Sequence, residues 1–196
     1  RSDKPTSNLC VWYHLTPKYE QGKREKDTSD RTHTKENALY FFSFFTMARR
    51  LAKEWADLEN KPDEEDRFFA ESKNSDLEWI MKILIADDAE CCYKEGIYTA
   101  VLTFPSEYPF KPPAVKFTPP VYHPGVNQDT GEICADVLKE EWGPTRNVRW
   151  IMSVLYNMFL TEGAGHAVDA DIMKLKEENY DAFKAKVAAQ IAELNE

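Results

Sequence analysis

From Arg67 to Thr118 the chain reads as strand after strand, from Asn147 to Leu194 as helix after helix, and most of the stretch between them follows no clean period. That order constrains the fold more than any other feature. Strands grouped in sequence and then helices grouped in sequence build an α+β domain with a meander sheet. The extended segments are Arg67 to Glu71, Leu77 to Ala86, Gly96 to Phe104 and Ala114 to Thr118. The third alternates most clearly, with Tyr98, Ala100, Leu102 and Phe104 on one face and Ile97, Thr99, Val101 and Thr103 on the other. Pro105 to Pro113 cannot be helix, and Pro119-Pro120 breaks the fourth strand.

Ahead of the strands, the spacing predicts a helix over about Asn37 to Leu58. Met47, Leu51, Trp55 and Leu58 fall on one face, and Arg49, Arg50, Lys53 and Glu54 lie on the opposite, solvated side. Lys61-Pro62-Asp63 ends it. One turn of helix is expected after Cys134, then helices over Asn147 to Leu160, Asp169 to Lys176 and Glu178 to Leu194. The last carries an apolar stripe of Phe183, Val187, Ile191 and Leu194. Residues 16 to 37 are charged and polar and read as a solvated linker or tail, preceded by a patch with Trp12 and Tyr13. The expected division is an N-terminal extension, 1–46, and a catalytic-size domain, 47–196. The aromatic run Leu39 to Phe45 has three readings: packing onto the body, docking as a helix in a partner's groove, and lying on a membrane surface. Packing is favoured, then a partner.

The net charge of −9 argues against nucleic acid, which calls for a basic face. Cys10, Cys91, Cys92 and Cys134 form no C-x-x-C pair and no Cys/His metal spacing. Adjacent Cys91 and Cys92 are poor disulfide partners and read as packing residues. The simplest reading is a reduced, cytoplasmic protein. The N-terminus does not look like a secretory leader, and the longest apolar run, Ala38 to Ala48, is too short to span a bilayer, which takes roughly 20 residues. The last three residues are not a peroxisomal matrix-import signal.

The chemistry concentrates in His123-Pro-Gly-Val-Asn-Gln-Asp-Thr-Gly-Glu-Ile-Cys134-Ala-Asp136. A thiol on an irregular, polar-flanked segment is reachable and can carry a thioester, whereas most free cysteines are buried packing residues. His123, between Tyr122 and Pro124, is expected to hydrogen-bond backbone and fix the loop. Asn127 reads equally as a turn residue and as an oxyanion donor.

Residues 47 to 196 resemble the ubiquitin-conjugating enzymes along their whole length. The resemblance rests on Tyr108-Pro-Phe-Lys-Pro-Pro113, Tyr122-His-Pro124, Gly131-Glu-Ile-Cys134, Val137-Leu-Lys139 and Trp142-Gly-Pro144, in this order and at these spacings. It implies that family's fold: an N-terminal helix, a four-stranded antiparallel meander, a cysteine-bearing loop and C-terminal helices. It also implies that Cys134 accepts ubiquitin from an activating enzyme and hands it to a substrate with a ligase's help. On this reading the catalytic set is Cys134 with Asn127, Asp136, His123 and His166. Phe110, Pro144 and Thr145 match the loops that grip RING-type ligases, and Arg49, Arg50 and Lys53 match the face that meets the activating enzyme. His123 to Cys134 is eleven residues, one more than is usual, and the longer loop resembles the peroxisomal branch, peroxin four. That branch implies the cycling import receptor as acceptor, recruitment to the cytosolic side of the peroxisomal membrane, and a membrane-anchoring peroxin as partner.

One departure matters. Gly125 stands where the family has Asn after His-Pro, so a side-chain donor is gone and the backbone is looser. Asn127 or backbone N–H groups can stand in. Two alternatives sit beside the main reading. One is conjugation of a Nedd8-type modifier, which the extended N-terminus fits. The other is a catalytically weak scaffold, which the missing Asn supports and the retained Cys134 opposes.

Overall fold

The computed structural model describes residues 30–61, 63, 67–87, 89–163 and 167–195, with 30–44 as backbone only. The chain falls into two units, Arg1–Ala38 and Leu39–Glu196. Within the first, only helical backbone from Asp30 onward is described.

Helix α1 runs Asp30–Asn60, seven residues further toward the N-terminus than the apolar period indicated. Its buried stripe is Met47, Leu51 and Leu58, and Trp55 meets Trp79 edge-on at 5.0 Å between centroids. Phe45 stays exposed, and the side chains of the run before it lie outside the described residues.

The sheet is a meander in the order β1 (Phe68–Ser75), β2 (Glu78–Leu84), β3 (Ile97–Thr103), β4 (Ala114–Phe117), all neighbours antiparallel. The register sets Trp79 opposite Leu102, Met81 opposite Ala100 and Ile83 opposite Tyr98. All six are buried on the inner face. A slip of one residue would turn every one of them to solvent, which is why the alternation specifies the pairing so strongly. Val101, on the other face, is buried as well. One reading needs correction. β1 runs on past Glu71 to Ser75, through register shifts at Ala70/Ser72 and Lys73/Ser75 that hide its period.

The helices after the cysteine are α2 (Asp136–Lys139), α3 (Val148–Leu160), α4 (Ala170–Glu178) and α5 (Tyr180–Leu194). Asn147 caps α3 by accepting from the Trp150 N–H. Asp169 caps α4 through the Asp171 and Ile172 N–H groups. α3 lies on the sheet through Phe159, which stacks on Tyr98 at 4.3 Å and meets Phe117 edge-on at 5.5 Å. α5 buries Phe183 and Val187, while Ile191 and Leu194 are only half-buried.

Candidate active site

The stretch from His123 to Pro144, which shows no clean period over most of its length, reads as an ordered loop with one turn of helix after Cys134. Within it, residues 126–133 form a small hairpin. Val126 bridges Ile133, Asn127 N–H donates to the Glu132 carbonyl (2.9 Å), and Gly131 N–H returns to the Asn127 carbonyl (2.8 Å). The hairpin is tied to β4, since Lys116 bridges Glu132 and Phe117 N–H donates to the Gly131 carbonyl at 2.8 Å. Gly131 is required there: its φ is +75°, and a Cβ would run into the Phe117 carbonyl oxygen. The Asn127 side-chain oxygen accepts from the Asp129 and Thr130 N–H groups, each at 2.9 Å, which makes the tip an Asx turn.

His123 holds the other end. It is fully buried, and Gly125 N–H donates to its Nδ1 at 2.9 Å. The ring proton therefore sits on Nε2, which donates to the Met158 carbonyl of α3 at 3.1 Å. Burial pushes its pKa down to about 4, so the ring is neutral at physiological pH. With both nitrogens engaged and no exposure, His123 cannot exchange protons with a nucleophile arriving from solvent. It is a scaffold for the turn.

Cys134 leaves this hairpin as a half-buried free thiol, and α2 begins two residues later. Its carbonyl accepts the Val137 N–H at 3.2 Å, which starts the helical turn. Glu132 and Asp136 on either side are exposed, with Asp136 4.0 Å from Lys139. Beside α2 a depression of about 270 Å³ runs across Val137, Trp150, Val154 and Asn157 to Gly163. The site thus offers a half-buried free cysteine on a braced backbone, with the depression beginning at Val137 of α2. His166 lies outside the described residues.

The loops over 105–113 and 142–147 form one body. Trp142 Nε1–H donates to the Pro109 carbonyl at 2.8 Å, and Phe110, Pro144 and Thr145 stand exposed on the outside. What braces them was misread from the helical period. Arg50 and Glu54 are not simply a solvated face: Glu54 is largely covered, and Arg50, though part-exposed, is engaged with other elements. The Arg50 guanidinium donates to the carbonyls of Pro144 (2.7 Å) and Arg146 (2.6 Å) and to Glu54 (2.7 Å). Glu54 in turn accepts the Tyr108 hydroxyl (2.8 Å) and the Val148 N–H (2.9 Å) at the start of α3. Arg49 and Lys53 are exposed, leaving them as the free cations of the basic trio Arg49, Arg50 and Lys53. The i, i+4 spacing of Arg50 and Glu54 hinted at a pair, but nothing local marked its partners some ninety residues away.

Cys91 is buried, and the Cys92 N–H donates to Glu162 at 3.0 Å. Among the described residues no cluster of His, Cys, Asp and Glu is arranged to hold a metal, and no helix is long and apolar enough to cross a membrane.

The family model for ubiquitin-conjugating enzymes matches residues 50–191. The chain belongs to the ubiquitin-conjugating enzyme family. Its relatives include ubiquitin-conjugating enzyme E2 1 of Schizosaccharomyces pombe, 29% identical over 136 residues, covering 69% of this chain and 61% of that protein. Ubiquitin-conjugating enzyme E2 ubc-18 of Caenorhabditis elegans is 30% identical over 139 residues, covering 70% and 88%. Among solved structures, a putative ubiquitin-conjugating enzyme from Plasmodium yoelii superposes with a TM-score of 0.66 at 29% identity, covering 76% of this chain and 94% of that one. An E2 domain from Toxoplasma gondii gives 0.64 at 28%, covering 74% and 95%. The fold and the enzyme class, a transferase acting through a cysteine thioester, follow from membership of this family.

Proposed function

We propose that the chain carries ubiquitin as a thioester on Cys134 and passes it to an acceptor with the help of a RING-type ligase. The observation that carries this reading is a half-open thiol at the exit of a hairpin braced on β4, in a chain of this family. In loading, the Cys134 thiolate attacks the carbonyl carbon of the activating enzyme's thioester. A new C–S bond forms, and the activating enzyme's thiolate leaves. In discharge, an acceptor amine or thiolate attacks the same carbon, the Cys134 thiolate leaves, and an amine acceptor gives up a proton.

Around this chemistry, Asn127 keeps its side-chain amide free to donate while its oxygen caps the turn, and Asp136 sets the local charge. His166 is the candidate to receive the amine's proton. Arg49 and Lys53 supply the surface for the activating enzyme, with Arg50 bracing from behind. Phe110, Pro144 and Thr145 supply the ligase surface. The finer proposal is that the acceptor is the cysteine of a peroxisomal import receptor and that a membrane-anchoring peroxin recruits the enzyme. It rests on the eleven-residue His123-to-Cys134 spacing and on Gly125, which leaves lysine activation weak and thiol transfer unaffected.

The test is incubation with activating enzyme, ATP and either ubiquitin or Nedd8. Ubiquitin should give an adduct that reducing agent removes and that Cys134→Ala abolishes. A Nedd8-only adduct would redirect the pathway, and no adduct with either would point to a scaffold. For the finer proposal, Gly125→Asn should change discharge to lysine more than discharge to cysteine. An equal effect on both would count against it.

A further inference from the structure

The turn leaving α3 carries a side chain that the transfer chemistry above does not use. Glu162 sits just past the helix cap with φ +52°, a left-handed conformation that favours glycine, and Gly163 at +80° follows it. Its carboxylate accounts for a glutamate at this position. Glu162 is buried, and its Oε1 accepts from the Cys92 N–H (3.0 Å) and the Tyr180 hydroxyl (2.9 Å). The Lys176 ammonium lies 3.3 Å from Oε2 and donates to the Glu162 carbonyl at 2.8 Å. One residue therefore joins the end of α3 to the turn after β2, to α4 and to the start of α5. Burial alone would raise its pKa. The Cys92 and Tyr180 hydrogen bonds and Lys176 outweigh that and hold it below the ordinary glutamate value, so the anchor is charged.

This anchor abuts the reactive loop. A Cβ on Gly163 would lie 3.1 Å from His123 Cε1 and from Pro124 Cβ, and 3.4 Å from the Gly125 nitrogen. Gly163, just past α3, is thus flush against the turn that feeds Cys134. Gly163 N–H and His123 Nε2 share the Met158 carbonyl, at 3.3 and 3.1 Å. Just ahead of α4, Val168 and Asp169 N–H groups both donate to the Pro124 carbonyl, at 2.8 and 2.9 Å. Where Glu162 sets Gly163 down decides how closely Gly163 meets residues 123–125.

We infer that Glu162 is a positioning residue for the discharge step: by fixing Gly163 against His123-Pro124-Gly125, it holds the backbone of the turn leading to Cys134 in register as the acyl carbonyl becomes an oxyanion. It touches no reacting atom, and the inference rests on the reading of Cys134 as the carrier. Loading needs a reachable thiol. Discharge needs preorganised surroundings, and a small displacement there is expensive in rate. Loosening Glu162 should therefore slow the second step and spare the first.

Glu162→Gly, Glu162→Gln and Tyr180→Phe separate this from a purely structural role. Glycine relieves the left-handed φ but leaves the Cys92 N–H, the Tyr180 hydroxyl and Lys176 without their carboxylate acceptor, so replacing a residue that mattered only for folding would lower loading and discharge alike, by the folded fraction. The measurements are the loading rate and the single-turnover discharge of the loaded enzyme over a range of free lysine concentrations. Loading should stay within about twofold in all three variants, while maximal discharge falls about tenfold in Glu162→Gly at unchanged KM for lysine. Tyr180→Phe, which removes one contact and leaves the carboxylate in place, should fall by about threefold, and Glu162→Gln should recover most of the glycine variant's loss. Wild-type discharge in Glu162→Gly would overturn the inference. So would loading and discharge declining together by the folded fraction. An unsubstituted chain that never forms a thioester would instead strike the carrier reading itself.

Discussion

Removing the Glu54 carboxylate should cost far more than its place on a helix among charged residues suggests. Its side chain is only 11% exposed and accepts from Arg50 Nε, the Tyr108 hydroxyl and the Val148 N–H. Tyr108 is itself buried, and burial together with the nearby carboxylate pushes its phenol upward, so it remains a protonated donor. In Glu54→Ala, the Tyr108 hydroxyl and the Val148 N–H lose their acceptor, at about 1–3 kcal/mol for each buried donor left unmade. Arg50 keeps its two carbonyl acceptors and is part-exposed, so the broken ion pair adds only about 0.5 kcal/mol. Water reaching the vacated space recovers some of this, leaving an expected loss of about 3 kcal/mol, with Glu54→Gln near half that. Urea unfolding at constant m-value measures it. Tyr108→Phe in both backgrounds completes a double-mutant cycle, which should show coupling of about 1 kcal/mol or more. A Glu54→Ala loss below about 0.5 kcal/mol, the usual range for a surface substitution, would refute the argument, as would strict additivity with Tyr108→Phe.

The buried neutral His123 makes stability depend on pH. Its folded pKa of about 4 lies below the ordinary histidine value of 6.5, so the unfolded chain takes up the proton first as pH falls. Stability from this group is complete above 6.5 and lost progressively down to 4, about 2 kcal/mol of it by pH 5. Denaturant titrations at pH 8 and pH 5 should show that loss in the unsubstituted protein and a shallower one in His123→Gln; equal slopes would refute it. Gly131→Ala places a side chain at φ +75° against the Phe117 carbonyl and should destabilise by about 2 kcal/mol or more while slowing thioester loading. A neutral result in thermal melts would contradict the hairpin geometry. Phe110, 76% exposed, should tolerate alanine with stability unchanged within about 0.5 kcal/mol. On the proposed ligase reading, Phe110→Ala should also keep loading intact and lose ligase-stimulated discharge; a stimulated rate equal to wild type would remove it from that surface.

By itself the chain's pattern determined the element types and their order. Period 2 in β3 and period 3.6 in α3 and α5 report which side of an element meets the core, and that is decided by neighbours a few residues away. The motif order around Cys134 was legible for the same reason, being a local run of turn residues. What only the tertiary structure decided is where isolated polar groups find partners. Arg50 and Glu54 look like a solvated face until the 144–148 segment arrives from the far end of the sequence. Glu162 looks like a helix-end charge until Cys92, Lys176 and Tyr180 converge on it. The 126–133 hairpin shows no period because its pairing is two bridges rather than a ladder, with β4 as the template. A buried hydrogen bond takes its energy from a partner's position in space, and spacing along the chain does not record that position when the partner lies on another element.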